Sequence, residues 1–196
     1  MFQNTSEKIL NRMRVLEKID EHDRLDGTPM LQRLRQIPQE SGRFIAILAA
    51  AAPPGKIIEI GTSAGYSTLW LSLAAQRRND RVHTFELLEN KYKLAKDTFQ
   101  SAGVEEWVDL VHGNALAFIP DFEEIAFCFL DAEKDIYLDC YEQLVPRMVS
   151  GGILLADNVI SHQSDLQGFI DRAMNDPRVD SIIVPVGKGI LLSRKQ

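Results

Sequence analysis

Disulfide frameworks, membrane spans and nucleic-acid charge are all missing from this chain of 196 residues. Its two cysteines are too few for the cross-linked scaffold of a small secreted domain. Cys128 sits in an apolar run and Cys140 in a helical pattern, so both read as buried fillers of a cytoplasmic protein kept reduced. The longest apolar stretch, Phe44 to Ala52, is far short of the ~20 residues that span a bilayer. Residues Met1 to Lys8 hold no apolar signal core. A formal net charge of −6 argues against nucleic acid or an anionic membrane as the main partner. Repeats, low-complexity tracts and Gly/Ser linkers are absent, so nothing divides the chain. At 45% apolar content it can bury one full core without a staple, as a single domain over 1–196.

The glycine signatures of two common nucleotide sites are missing as well. What stands instead is Lys56-Ile57-Ile58-Glu59-Ile60-Gly61-Thr62-Ser63-Ala64-Gly65-Tyr66-Ser67, an apolar strand running into a short glycine loop. Ser63 occupies the place of the second glycine in the dinucleotide fingerprint, and no Gly-Lys-Ser or Gly-Lys-Thr follows to hold a triphosphate. S-adenosylmethionine is the remaining common nucleoside cofactor. It has no phosphates, so the loop needs only backbone proximity to the methionine part, with Ser67 at the helix start facing the cofactor carboxylate. Glu86 closes the next strand at the separation one strand-helix-strand unit requires, where a carboxylate can grip a ribose. The bland alternative is a tight strand-to-helix turn that binds nothing.

Apolar runs then alternate with amphipathic stretches, the pattern of a parallel sheet covered by helices on both faces. Strands are expected at Ile57–Ile60, Val82–Glu86, Val108–His112, Ala126–Asp131, Ile153–Asp157, Ile182–Val186 and Ile190–Ser193. Helices are expected near Tyr66–Arg77, Lys91–Ala102, Tyr137–Val149 and Asp165–Asn175, with Tyr92, Ala95 and Phe99 packing on the sheet. The last two strands are too close for a crossover helix and must form an antiparallel hairpin. A doubly wound, mostly parallel sheet of seven strands with an antiparallel last one is the Rossmann-like arrangement of the class I methyltransferases. Residues 1–52 read as a helical cap before a cofactor-binding core over 53–196. Ile9, Met13 and Leu16 oppose Lys8, Arg12 and Arg14 there, and the segment covers the sheet, builds a dimer contact or closes over substrate.

Ligands of open α/β sheets bind at the carboxyl ends of strands, and two ends carry acids. They are Asp131, in Phe129-Leu130-Asp131-Ala132-Glu133-Lys134, and Asp157, in Leu154-Leu155-Ala156-Asp157-Asn158-Val159. On neighbouring strands, two carboxylates and the Asn158 amide make a hard oxygen site for Mg²⁺ or a similar cation. Lys134, one turn beyond Asp131, can serve as general base there. Polar strand ends that merely cap the following helices are the other reading.

With these motifs in order, from about Pro38 to Lys195, the chain resembles the cation-dependent O-methyltransferases that include the catechol and caffeoyl-CoA enzymes. The stretches that carry the resemblance are Glu59-Ile60-Gly61-Thr62, Gly65-Tyr66-Ser67, Thr84-Phe85-Glu86, Leu130 to Lys134, Ala156 to Val159, and the close Pro185-Val186-Gly187-Lys188-Gly189-Ile190-Leu191-Leu192-Ser193-Arg194-Lys195. It implies Asp131, Asp157 and Asn158 as metal ligands, Lys134 with Asp131 as catalytic residues, and a homodimer acting on a small acceptor. It further implies cofactor contacts at Glu59, Gly61, Thr62, Gly65, Tyr66, Ser67, Glu86, Leu87, Gly113, Asn114, Ala115 and Asp131.

The chain departs from the family pattern in three places. The segment Ile160-Ser161-His162-Gln163-Ser164 is short where relatives carry an insertion that shapes the acceptor pocket. Asn114 replaces an aspartate near the adenine, and Glu133 an aspartate inside the Asp131 motif. His162 and His112 are placed to meet ligand or to be ordinary loop residues. His83 is expected to pack within its strand, and His22 to lie on a solvated face, Asp20-Glu21-His22-Asp23-Arg24. A metal-independent methyltransferase and a non-catalytic S-adenosylmethionine-binding protein are the competing functions.

Overall fold

Near-continuous apolar runs let the central strands bury both faces, and the computed structural model, which describes residues 1–196, shows what each face meets. The strands are β1 (Lys56–Ile60), β2 (Val82–Glu86), β3 (Val108–His112), β4 (Ile125–Leu130), β5 (Met148–Ala156), β6 (Val179–Val184) and β7 (Ile190–Lys195). The helices are α1 (Glu7–Asp23), α2 (Gln39–Ala51), α3 (Tyr66–Arg78), α4 (Glu89–Ala102), α5 (Ala115–Phe118), α6 (Tyr137–Leu144) and α7 (Gln163–Met174). One sheet runs in the order β3-β2-β1-β4-β5-β7-β6, and only β7 is antiparallel to its neighbours. Ile57, Phe127, Phe129 and Leu155 point to the layer of α1 to α4. Ile58, Cys128, Leu130 and Leu154 point to that of α5 to α7. Phe127 and Phe129 are fully buried, and each side chain of this size contributes roughly 1.5–3 kcal/mol by leaving water.

The expected boundaries shift where proline intervenes. Pro146 has no N–H for a helical bond, so α6 stops at Leu144, the chain tightens into a 3₁₀ turn at Val145–Arg147, and β5 starts already at Met148. Pro185 likewise ends β6 at Val184, which instead begins at Val179. In α4 the hidden positions are Lys91, Ala95, Thr98, Phe99 and Ala102. Tyr92 lies beside them, its ring 5.0 Å from that of His112.

Three charges expected in solvent near the N-terminus are turned inward. Arg12 donates from Nε and Nη2 to Thr98 Oγ1 at 3.1 and 2.8 Å. Asp20 and Asp23 are 9% and 6% exposed, so their stretch is not a solvated face, although His22 beside them is exposed. The connection 24–38 must return over the sheet, and its amides need acceptors. Asp23 Oδ2 takes the Leu34 N–H at 2.7 Å and Asp20 Oδ1 the Gln36 N–H at 2.9 Å. The strap so anchored crosses the carboxyl ends of the strands.

Candidate active site

Strand order reverses on either side of β1, which opens a cleft beyond the ends of β1 and β4. The ladder sets what stands level there. Gly61 donates its N–H to Phe85 O (3.1 Å), Asp131 to Ile60 O (3.0 Å), Asp157 to Leu130 O (3.0 Å) and Gly113 to Glu86 O (2.9 Å). Residues up to 96 positions apart, from Gly61 to Asp157, therefore lie along one edge.

Two cavities of about 270 and 260 Å³ share Gly61, Ser63, Arg35, Lys91, Asp131 and Ala132, and form two halves of that cleft. The second is bordered by Glu86, Leu87, Gly113, Asn114 and Ala115. Glu86 is 6% exposed; its Oε2 accepts the Ser63 N–H at 2.7 Å and its Oε1 the Leu88 N–H at 2.8 Å. Each oxygen keeps a lone pair for a further donor. Asn114 caps α5 through Oδ1 (3.0 Å from Leu116 N), which leaves its amide N–H groups free. The first cavity is bordered by Thr62, Tyr66, Ser67, Lys134, Asn158, His162 and the strap.

Asp131 and Asp157 are bridged by Asn158, whose Nδ2 donates to Asp131 Oδ1 at 2.8 Å and to Asp157 Oδ2 at 3.1 Å. Asp157 Oδ1 is buried with no partner. Burial, and then the charge of Asp131, push the Asp157 carboxyl up to about 7. An orphaned carboxylate oxygen beside a second carboxylate and an amide fits a hard divalent cation, which would supply the missing positive charge.

Lys134 donates from Nζ to Ala132 O (2.8 Å), to Tyr137 Oη (2.9 Å) and, at 3.5 Å, to Asp131 Oδ1. Burial holds its pKa below that of a free lysine, with Asp131 opposing the shift. Tyr137 had no signal in the sequence beyond its place one turn after Lys134. It is fully buried and donates to Asp157 O at 3.3 Å, so one phenol ties the lysine to the second acidic strand end.

Several expected contacts lie elsewhere. Glu59 does not border the cleft: it is fully buried behind the loop, where its Oε2 accepts the hydroxyls of Thr68 and Thr84. Thr84 in turn shares a 2.6 Å hydrogen bond with Thr62. Gly65 does not border it either; a Cβ there would lie 2.6 Å from Phe99, so this glycine lets α3 pack on α4. A Cβ on Gly61 would lie 2.1 Å from Asp131 O, so this glycine brings β1 against β4 rather than only against a ligand. The Tyr66 hydroxyl points away to Glu17 (2.6 Å). Ser63, read only as a missing glycine, adopts φ +48° and donates its hydroxyl to Leu34 O at 3.0 Å, joining loop to strap. The short segment after Asn158 is held by the hairpin turn, with Ile160 and Ser161 donating to Lys188 O at 3.2 and 3.1 Å. Glu133 pairs with Arg35 of the strap. His83 is packed as expected against Asp109, and His112 bonds Leu87 O at 3.2 Å.

Glu59 carries a pH signature. Desolvation raises its carboxyl from 4.5 to about 7, so the folded state holds a proton that the unfolded chain releases. Its stabilising effect is full below pH 4.5 and is lost as pH rises to about 7, a change on the order of 3 kcal/mol. In Glu59→Gln that loss is expected to vanish. Urea melts of both proteins between pH 4 and 8 check it, and parallel curves would refute it.

The sequence profile of a family described as O-methyltransferase matches residues 12–196. Caffeoyl-CoA O-methyltransferase 1 of Eucalyptus globulus is 27% identical over 180 residues, covering 80% of this chain and 73% of its own. Catechol O-methyltransferase of Mycobacterium tuberculosis is 32% identical over 126 residues, covering 63% and 57%. A methyltransferase of Podospora anserina with S-adenosylhomocysteine bound superposes with a TM-score of 0.81 at 21% identity, over 99% of this chain and 91% of its own. No helix here is long and apolar enough to cross a membrane.

Proposed function

The chain belongs to the O-methyltransferase family and is an S-adenosylmethionine-dependent enzyme, and from that premise we propose that it methylates one of two adjacent hydroxyls on a small aromatic acceptor, assisted by a divalent cation. The observation that carries this reading is the Asp131-Asn158-Asp157 cluster beside Lys134, with one carboxylate oxygen buried and unpaired. Asp131, Asp157 and Asn158 are the proposed ligands, the amide turning its oxygen inward. When bound, the cation acidifies a substrate hydroxyl and fixes its position.

The cofactor is proposed to lie with its ribose on Glu86, its adenine between Leu87 and Asn114, and its methionine part along Gly61 to Ser67. Lys134 Nζ takes the proton of the acceptor hydroxyl. The oxygen forms its bond to the methyl carbon as the carbon–sulfur bond breaks, leaving S-adenosylhomocysteine. Lys134 suits the step because burial favours its neutral form, and Ala132 O and Tyr137 Oη hold the nitrogen in place. The strap, tied down through Ser63 and Arg35, excludes water from the reacting groups.

Methylation of catechol is expected to fall to background in EDTA and to return with Mg²⁺, while calorimetric binding of S-adenosylhomocysteine is unchanged. Full turnover in EDTA would leave a metal-independent methyltransferase. Cofactor binding without turnover on any acceptor would leave a binding protein. The proposed homodimer predicts twice the chain mass by light scattering, and a monomer at working concentration removes it.

A further inference from the structure

Six cationic side chains, those of Arg24, Arg33, Arg35, Lys91, Lys134 and Lys188, border the acceptor half of the cleft against a single carboxylate, that of Asp131. The chain as a whole is acidic, at −6, so this excess is local. Three of the six are matched: Arg24 by Asp20 at 2.6 Å, Arg35 by Glu133, and Lys134 by Asp131 at 3.5 Å. Arg33, Lys91 and Lys188 form no ion pair, although Glu86, Glu133 and Asp131 lie within electrostatic reach of Lys91 and Asp157 within that of Lys188.

Each of the three is left free by its surroundings in a different way. Arg33 spends Nε on Thr28 O (2.7 Å), which leaves its two terminal nitrogens without a bond inside the protein. Lys188 fixes its turn by its backbone carbonyl alone, and its side chain is free to face the cavity. Lys91 is 5% exposed, borders both halves of the cleft, and has no hydrogen-bonded partner. Its ammonium reaches the junction of the two cavities without a hydrogen-bond or ion-pair partner, and a bound anion would supply one. The cofactor cannot, because its amino and carboxylate groups cancel and its sulfonium adds positive charge. A divalent cation would be balanced by Asp131 and Asp157. A neutral diol would leave all three without an ion-pair partner.

We propose that the acceptor carries a compact anionic group, such as a carboxylate, beside the hydroxyl that is methylated, and that Lys188 and Arg33 receive it with Lys91 at the junction of the two halves. This rests on the diol reading above. Bidentate guanidinium contact and a lysine from the facing hairpin hold such a group in a fixed orientation. The same contacts select against uncharged analogues, which leave the cations desolvated and unpaired.

The test compares kcat/KM for 3,4-dihydroxybenzoate with that for 3,4-dihydroxybenzamide, a neutral compound of similar shape and ring electronics, under saturating S-adenosylmethionine and Mg²⁺. The wild type is expected to prefer the carboxylate at least tenfold, mainly through KM, and to lose part of the preference as salt rises. Lys188→Gln should bring the ratio near one, Lys188→Glu should invert it, and Lys188→Arg should retain it. A wild type that turns over the benzamide as well as the benzoate overturns the anion site and leaves the diol reading intact. A protein that binds S-adenosylhomocysteine yet methylates neither compound overturns the diol reading, and this inference with it.

Discussion

Lys134→Ala is expected to lower turnover of a catechol acceptor about 10²–10⁴-fold, the range for a positioned general base, with KM for S-adenosylmethionine changed less than about twofold. The proposed base borders the first cavity and not the one at Glu86, where the nucleoside is proposed to lie, so cofactor affinity should be spared. The pH profile carries the sharper signature. Burial lowers the pKa of Lys134, so wild-type activity rises with pH as the neutral amine forms, and in the variant that limb disappears. Truncation also leaves Tyr137 Oη and Ala132 O without the ammonium, a structural loss that could mimic a catalytic one. Lys134→Arg separates the two, because a guanidinium keeps the charge and donors but does not give up its proton near neutral pH. Turnover retained in Lys134→Arg would show that the residue acts by charge, not as a base.

How legible this site was depends on which residues announce themselves locally. The strand positions and the antiparallel closing hairpin followed from apolar runs and from the short spacing at Pro185 to Ile190, because periodicity and connection length are local properties, and the strands of Asp131 and Asp157 are neighbours as expected. Proline moved two boundaries, at Pro146 and Pro185, where the apolar pattern ran past what the backbone could continue. The anchoring of Asp20 and Asp23 was invisible, since nothing in a charged run says that amides 11 to 16 residues onward will come back for their carboxylates. Tyr137 was hidden for a related reason. An aromatic residue opening an amphipathic helix reads as core, and only the structure shows its hydroxyl reaching Lys134 and Asp157.

The glycine loop was legible as a motif, but part of the cause at two positions lay outside it. Gly61 and Gly65 do make the sharp turn, with φ of +99° and +88°, but a Cβ at either would also strike Asp131 O or Phe99, a packing constraint that ligand approach alone does not describe. That further constraint comes from elements of the protein packing together beneath the cleft. Glu59 belongs to the same layer. Its hydroxyl partners Thr68 and Thr84 connect it through Thr62 to the loop, so its influence on the cleft runs through the positions of those side chains. Positions behind a site and positions facing it leave the same trace in a motif, and burial separates them.

Glu86→Ala is expected to weaken S-adenosylhomocysteine binding about 10²–10³-fold, the loss of two hydrogen bonds to a charged acceptor at roughly 1.5–3 kcal/mol each, less the part water recovers. Glu86 sits at the end of β2 with both oxygens aimed by backbone donors, so little ordering remains to be done when a ribose arrives. The same two bonds complicate the alanine variant, because Ser63 N and Leu88 N lose their acceptor and the loop loosens. Glu86→Gln resolves this. Its amide can satisfy one of the two N–H groups with its oxygen, but its NH₂ must then face the other donor. Calorimetry should therefore place Glu86→Gln between alanine and wild type for S-adenosylhomocysteine, and nearer to wild type for adenine alone, which in the proposed pose meets Leu87 and Asn114 but not this carboxylate. Equal losses for nucleoside and free base would assign Glu86 to holding the loop, and the ribose contact would have to be given up.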